Sequence, residues 1–300
     1  MNKRLFTLPI LVLSLFLLTA CGGQQQQQQT KGVFIGGLQG VVADFEAFGV
    51  DENGISSIFD TETFPVQVTI NNRGEYELQK DDVTVTLTGV SKDEFEGIPS
   101  WTLKNTGVIE KISDLLPTGG EETISFNSDA KYKGKVVGLL DRTWYANIQY
   151  HYKTQIVVPE VCLKEDLTDN RVCTVSEQKN SFVSAAPITV TSVSEEPAGK
   201  GIVALKFTIE NKGTGKVTTV GQEFAQTNKV SFSLDDPAWE CKTAGKLNEA
   251  RLVDGKADII CKLKQALPAK TLEQKQVQLT LDYKYQDLIQ QKLRVKESTK

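Results

Sequence analysis

The stretch Val277-Gln278-Leu279-Thr280-Leu281-Asp282-Tyr283-Lys284-Tyr285 alternates apolar and polar side chains at every step. A helix would carry its apolar residues three and four apart, whereas a period of two places one row on each face of a pleated strand. Such a strand buries one face and wets the other, which is the habit of antiparallel sheets. The same alternation recurs in Val66-Gln67-Val68-Thr69-Ile70, Val83-Thr84-Val85-Thr86-Leu87, Leu205-Lys206-Phe207-Thr208-Ile209 and Val230-Ser231-Phe232-Ser233-Leu234. Helical spacing is scarce. Gly107 to Leu116 could form one short helix or helical turn, and Glu273 to Val277 is ambiguous. The chain is predicted to be all-β.

The alternating blocks come twice. Val68-Thr69-Ile70-Asn71-Asn72-Arg73-Gly74 matches Phe207-Thr208-Ile209-Glu210-Asn211-Lys212-Gly213, an apolar strand running into Asn-basic-Gly. Asn and Gly suit a turn that needs positive φ. Downstream, Ile148-Gln149-Tyr150-His151-Tyr152-Lys153 resembles Leu279-Thr280-Leu281-Asp282-Tyr283-Lys284. A leading strand precedes each copy, Val41 to Phe48 and Ile188 to Val193. Shared order across both copies points to duplication, with the boundary near Ala185-Ala186-Pro187. So short a connector favours a stiff end-to-end pair.

The second copy, with Asn211-Lys212-Gly213-Thr214-Gly215-Lys216-Val217 after its strand, resembles the CARDB-type, immunoglobulin-like modules of prokaryotic surface proteins. The first copy carries Asn72-Arg73-Gly74 but lacks the second glycine. The resemblance implies two tandem immunoglobulin-like β-sandwich domains, residues 33–186 with a disulfide-closed insertion and CARDB-like residues 187–300. It implies a spacer, adhesion or interaction module, and no catalytic residues.

Ahead of the sandwiches, Lys3 and Arg4 precede an apolar run from Leu5 to Leu18, closed by Leu18-Thr19-Ala20-Cys21. This three-part build is that of a secretory signal, with an apolar run too short for a comfortable span. It resembles a prokaryotic lipoprotein signal. The resemblance implies cleavage after residue 20, with Cys21 lipidated as the new N-terminus. Gly22-Gly23 and Gln24 to Gln29 follow, with nothing apolar to bury, so residues 21–32 are expected to be a flexible, lipid-anchored linker. The protein is therefore expected to be exported and anchored to the outer face of a membrane, at the cell surface or in a periplasm.

The remaining cysteines, Cys162, Cys173, Cys241 and Cys261, form an even set. Four cysteines permit three pairings, and the sequence does not choose among them. The local pairing puts one bridge in each half. A zinc site would need C-x-x-C pairs, and His151 is the only histidine, so no metal site is expected. A net charge of −4 with both signs mixed offers no basic field for nucleic acid.

Candidate chemistry is thin. His151 shares a polar strand face with Asn147, Gln149 and Lys153, and no G-x-S-x-G elbow supplies a nucleophile. Asp51-Glu52-Asn53-Gly54 lacks the ligand spacing of a calcium loop, and Glu165, Asp166 and Asp169 read as a solvated turn. Gly36-Gly37 and Gly119-Gly120 are turns without the context of a phosphate loop, so no cofactor is expected. Lys131, Lys133 and Lys135 around Tyr132 suit the guarding of a sheet edge. Trp101 and Trp239, in turn-like segments, are the candidate partner-binding residues, unless they fold back over the core or a disulfide. The expected role is structural, adhesive or protein-binding, with a protein (a second copy or an envelope component) or a surface glycan as partner. A ligand receptor or accessory subunit of a membrane complex is the alternative, and a hydrolase the third class.

Overall fold

A computed structural model describes residues 33–298 apart from 170 and 226. The leader, Cys21 and the glutamine tether lie outside the described residues. The first half carries β1 (Val41–Phe45), β2 (Val50–Glu52), β3 (Ile55–Phe59), β4 (Thr63–Asn72) and β5 (Val83–Thr88). It continues through β6 (Phe95–Glu96), β7 (Thr102–Lys104), β8 (Glu121–Tyr132) and the long β9 (Leu139–Lys164). The connection holds β10 (Glu177–Gln178) and β11 (Phe182–Val183). The second half begins with β12 (Ile188–Gly199), β13 (Ile202–Asn211), β14 (Lys216–Thr218), β15 (Lys229–Leu234) and β16 (Trp239–Thr243). It ends with β17 (Lys246–Leu247), β18 (Glu249–Arg251), β19 (Lys256–Leu263) and the long β20 (Leu272–Lys296).

The fold is all-β, and no described residue is helical. Gly107 to Leu116, offered above as a helix, is irregular. Ile109 and Ile112, buried and three residues apart, imitate helical spacing. Ile109 instead bridges Leu78, and Ser113 and Leu116 exchange backbone bonds at 3.1 Å in a turn. Pro117 and Gly119-Gly120 follow at once, and proline cannot supply the amide that a continuing helix needs. Glu273 to Val277 belongs to β20. Asp51-Glu52-Asn53-Gly54 forms the tip of the β2–β3 hairpin, where Asn53 and Gly54 both take positive φ (57° and 81°). A two-residue hairpin of matching twist requires that pair of conformations.

The duplication is visible in the strand order. One sheet runs β1-β4-β8-β6, and its counterpart contains β12-β13-β19-β16 in the same relation. The third sheet runs β18-β15-β20-β9-β5-β7 and reads alike from either end. At its middle β9 and β20 pair antiparallel from Lys164↔Leu272 to Leu139↔Lys296. Each long strand thus starts in its own half and finishes in the other. The halves are joined by this ladder, not only by the connector at Ala185-Ala186-Pro187, and residues from Val33 onward form one compact unit.

Alternation dictates which atoms fill the core. Trp144, Ala146, Ile148, Tyr150 and Tyr152 on β9, with Val277, Leu279, Leu281, Tyr283 and Tyr285 on β20, are all 2% exposed or less. In the first half Phe48, Phe64 and Phe95 set ring edges against Trp144 at centroid distances of 5.6, 6.1 and 4.8 Å. These are favourable edge-to-face arrangements.

Both disulfides follow the local pairing. Cys162–Cys173 ties the end of β9 to the connection, and Cys241–Cys261 joins directly opposed residues of β16 and β19. Closing loops of 11 and 20 residues removes unfolded-state entropy worth about 3 kcal/mol each in the chain-entropy model. Two such bridges indicate an oxidising, extracytoplasmic environment.

Candidate interaction surface

The two sequence-predicted tryptophans are drawn inward. Trp101 is half-buried and stacks on Trp144 with centroids 5.7 Å apart and planes 3° from parallel. The Lys92 ammonium lies 5.6 Å from its ring centre. Trp239 opens β16 and is 4% exposed, on the same strand face as Cys241. Both cover core, the second of the two roles the sequence left open for them.

His151 sits on the wet face of the shared sheet, its side chain 25% exposed. Its Nε2 is 2.7 Å from Asp282 Oδ1, and its Nδ1 is 3.9 Å from Asp82 Oδ1. Lys153 Nζ reaches the other Asp282 oxygen at 3.2 Å. Burial works against the Asp282 carboxylate, but His151 and Lys153 hold it below the usual range. A histidine between two carboxylates could move a proton, yet among the described residues no hydroxyl or thiol is hydrogen-bonded to its ring for it to activate. The cluster pins strands together. The acidic loop is likewise spent on local bonds. Asp166 accepts the Thr168 amide and hydroxyl, and Asp169 pairs with Arg171, which lowers its pKa to about 2. Among the described residues no group of three or more His, Cys, Asp or Glu could hold a metal ion. Lys131, Lys133 and Lys135 line an open hollow with Asp60, Glu96 and Glu297.

At the centre of the shared sheet Tyr150 faces Tyr285 and Tyr152 faces Tyr283 across the ladder. Their hydroxyls organise the duplicated turns. Tyr152 donates to Asn72 Oδ1 and Tyr285 to Asn211 Oδ1, each at 3.1 Å. Those same oxygens accept the Gly74 and Gly213 amides. Tyr150-His151-Tyr152 is therefore the counterpart of Tyr283-Lys284-Tyr285, a two-residue shift from the match suggested by sequence similarity. An even shift keeps every side chain on its face, so alternation could not reveal it.

Burial raises the pKa of all four phenols, that of Tyr285 to about 12. Raised folded-state pKa values give stability that is full below about pH 10, the unfolded tyrosine value, and is lost as pH rises above it. Each phenol contributes a slope of about 1.4 kcal/mol per pH unit. We expect abrupt alkaline unfolding, with tyrosinate absorbance from these residues appearing only together with loss of the β-sheet circular dichroism. Gradual ionisation in a still-folded chain would contradict the arrangement.

The two halves differ at one place. In the second half a single extended stretch closes the side of the sandwich between β12 and β9. β10 pairs with Glu195 and Ser194 on β12, Lys179 N donates to Val193 O, and β11 pairs with Val157 and Ile156 on β9. The corresponding seam of the first half lies between β1 and the second part of β20. Among the described strands β1 pairs only with β4. β20 carries β14 on residues 284–286 and β3 on residues 293–296, and among the described strands its residues 287–292 pair only with β9. The chain leading into β1 is drawn elsewhere. Glu75 accepts the Ile35 and Gly36 amides at 2.9 Å and the Ala185 amide at 2.8 Å. Thr214 stands at Glu75's place after the second turn, so the second half has no such carboxylate.

The open seam contains a cavity of about 260 Å³ lined by Val41, Ala43, Ile148, Leu288 and Ile289. A second hollow of about 280 Å³, sharing Val41, Val42, Thr214 and Asp287, extends it towards Pro187 and Tyr285. Leu288 is 59% exposed. Compared with known proteins, the chain matches no family model, no curated protein and no solved structure.

Proposed function

We propose that this chain is a lipid-anchored surface protein, held by Cys21, whose folded part binds a partner and catalyses no reaction. The observation that carries this reading is the open seam of the first half. It combines an apolar lining with strand edges that pair with no further described strand, whereas the His151 cluster and the acidic loop are satisfied internally. The strand orders β1-β4-β8-β6 and β7-β5-β9 are compatible with an immunoglobulin-like sandwich in each half, in keeping with the CARDB-like turn. The disulfides support export, and the lipobox-like Leu18-Thr19-Ala20-Cys21 supports anchoring. Two acyl chains suffice for stable attachment.

Cys21→Ala is expected to move the chain from the membrane fraction to the soluble exported fraction, read by detergent-phase partitioning. Retention of the variant in the membrane phase would dismiss Cys21 as the anchor. Cross-linking of intact cells is expected to join the anchored chain to a stoichiometric partner; a chain joined to nothing would remove the binding reading.

A further inference from the structure

We infer that the open seam of the first half binds an extended polypeptide segment of another exported protein, which adds as a strand of about six residues to residues 287–292 of β20. The inference rests on the binding role proposed above and names the partner's chemistry.

The duplicated half displays the occupied form. There the seam is closed by an extended stretch bonded to the edges of β12 and β9, through Glu177, Gln178, Lys179, Phe182 and Val183. In the first half, among the described residues, neither of these edges pairs with a further strand. Leu288 N donates to Asp287 Oδ1 at 2.9 Å, so that amide is turned away from β9. Antiparallel alternation turns the Gln290 and Lys292 amides the same way. Free strand edges beside an apolar hollow are what β-augmentation uses: main-chain bonds supply affinity, and pockets for alternate side chains supply specificity.

The notch selects its occupant by shape. β14 and β3 bound it at either end and leave room for one strand, about 20 Å long at the usual rise per residue. A second copy cannot enter by the same edge, because its own β20 is recessed behind β14 and β3 in the same way. A terminus or loop with no sheet of its own can. Val41, Ala43, Ile148 and Ile289 ask for apolar residues at alternate positions. Asp287 at the rim asks for a basic residue beside it. Lys179, which fills the second seam, meets buried Glu195.

The test places the photo-cross-linker p-benzoylphenylalanine at Leu288 in the full, anchored chain in intact cells, with Thr280 on the outer sheet face as the control position. The expected result is one exported partner joined at position 288 through a segment of alternating apolar residues. A synthetic peptide of that segment should slow exchange of the Leu288, Gln290 and Lys292 amides in the purified chain by about tenfold or more. Ile289→Glu, which adds a carboxylate beside Asp287, should abolish the adduct while leaving the thermal midpoint close to that of the parent. Should that variant unfold, Gln290→Pro serves instead, since it removes an amide that faces away from β9. An adduct to residues 21–32 of the same chain, to a second copy or to lipid would overturn the inference. So would a peptide that leaves the three amides unprotected. A partner joined at position 280 but not at 288 would overturn the strand-addition inference and leave the binding role standing. No partner at either position would remove both.

Discussion

Glu195→Ala is expected to destabilise the folded chain by about 3–5 kcal/mol, the cost of stranding one member of a buried ion pair. Glu195 is 0% exposed and holds the Lys179 ammonium, itself 5% exposed, at 2.7 Å. It also accepts the Cys162 amide at 2.9 and 3.1 Å. Alanine would leave a buried cation with only the half-exposed Glu177 beside it and an amide without an acceptor. Burial pushes the Glu195 carboxyl up against the pull of Lys179 and that amide, so its protonated form is the one the fold favours. That stabilisation is full below about pH 4.3 and is lost as pH rises through the folded value. At neutral pH the ion is therefore held at a cost that Lys179 offsets. Burial also works against the Lys179 charge, yet Glu177 and Glu195 hold its pKa above the ordinary lysine value. It follows that replacing both partners, as in Glu195→Leu with Lys179→Met, should cost far less than either single change. Urea unfolding of the two single variants and the double variant tests this. Additive losses would show that the pair is not coupled. The second seam should loosen first, because this pair is what seats β10 against β12.

Asn72→Ala is expected to cost about 2–4 kcal/mol, since a buried polar group left without a partner loses its full desolvation energy. The Asn72 amide nitrogen donates to Tyr76 O at 2.7 Å and to Ile109 O at 3.2 Å. Its oxygen accepts from Tyr152 and from Gly74 N. All of this lies at a residue with 0% exposure. Asn211 repeats the pattern with Tyr285, Gly213 and Gly215, but it is only half-buried. Water can serve the orphaned groups there, so Asn211→Ala should cost about 1 kcal/mol. Chemical denaturation of the two variants side by side is the measurement. Equal losses would mean that burial is not what distinguishes the two turns.

Those two asparagines also measure how far the sequence could be read. Asn-basic-Gly after an apolar strand was legible as a repeated turn, because the requirement for positive φ and a short polar side chain is local. The tyrosines that complete each turn were legible only as strand residues. Which tyrosine meets which asparagine depends on a register that alternation leaves free by any even number. The two roles that the sequence left open for Trp101 and Trp239 could not be separated there for a related reason. Their turn-rich surroundings are visible in the sequence, but whether a ring is buried, as Trp101 is against Trp144, depends on strands elsewhere in the chain. The open seam had no sequence signal at all. It accompanies the capture of the Ile35 and Gly36 amides by Glu75.

By itself the sequence determined the class of structure and the duplication, since both follow from the period of hydrophobicity and from turn chemistry, which act within a few residues. It also specified an even set of cysteines suited to an oxidising compartment. Only the tertiary structure decided the rest. β9 paired with β20 along its length, which fused the two halves into one sheet, and one half closed its side while the other left its side open. The first outcome rests on contacts between residues more than a hundred positions apart and the second on contacts between separate strands and turns, where the choice of partner is set by the packing of the whole core and not by any local pattern.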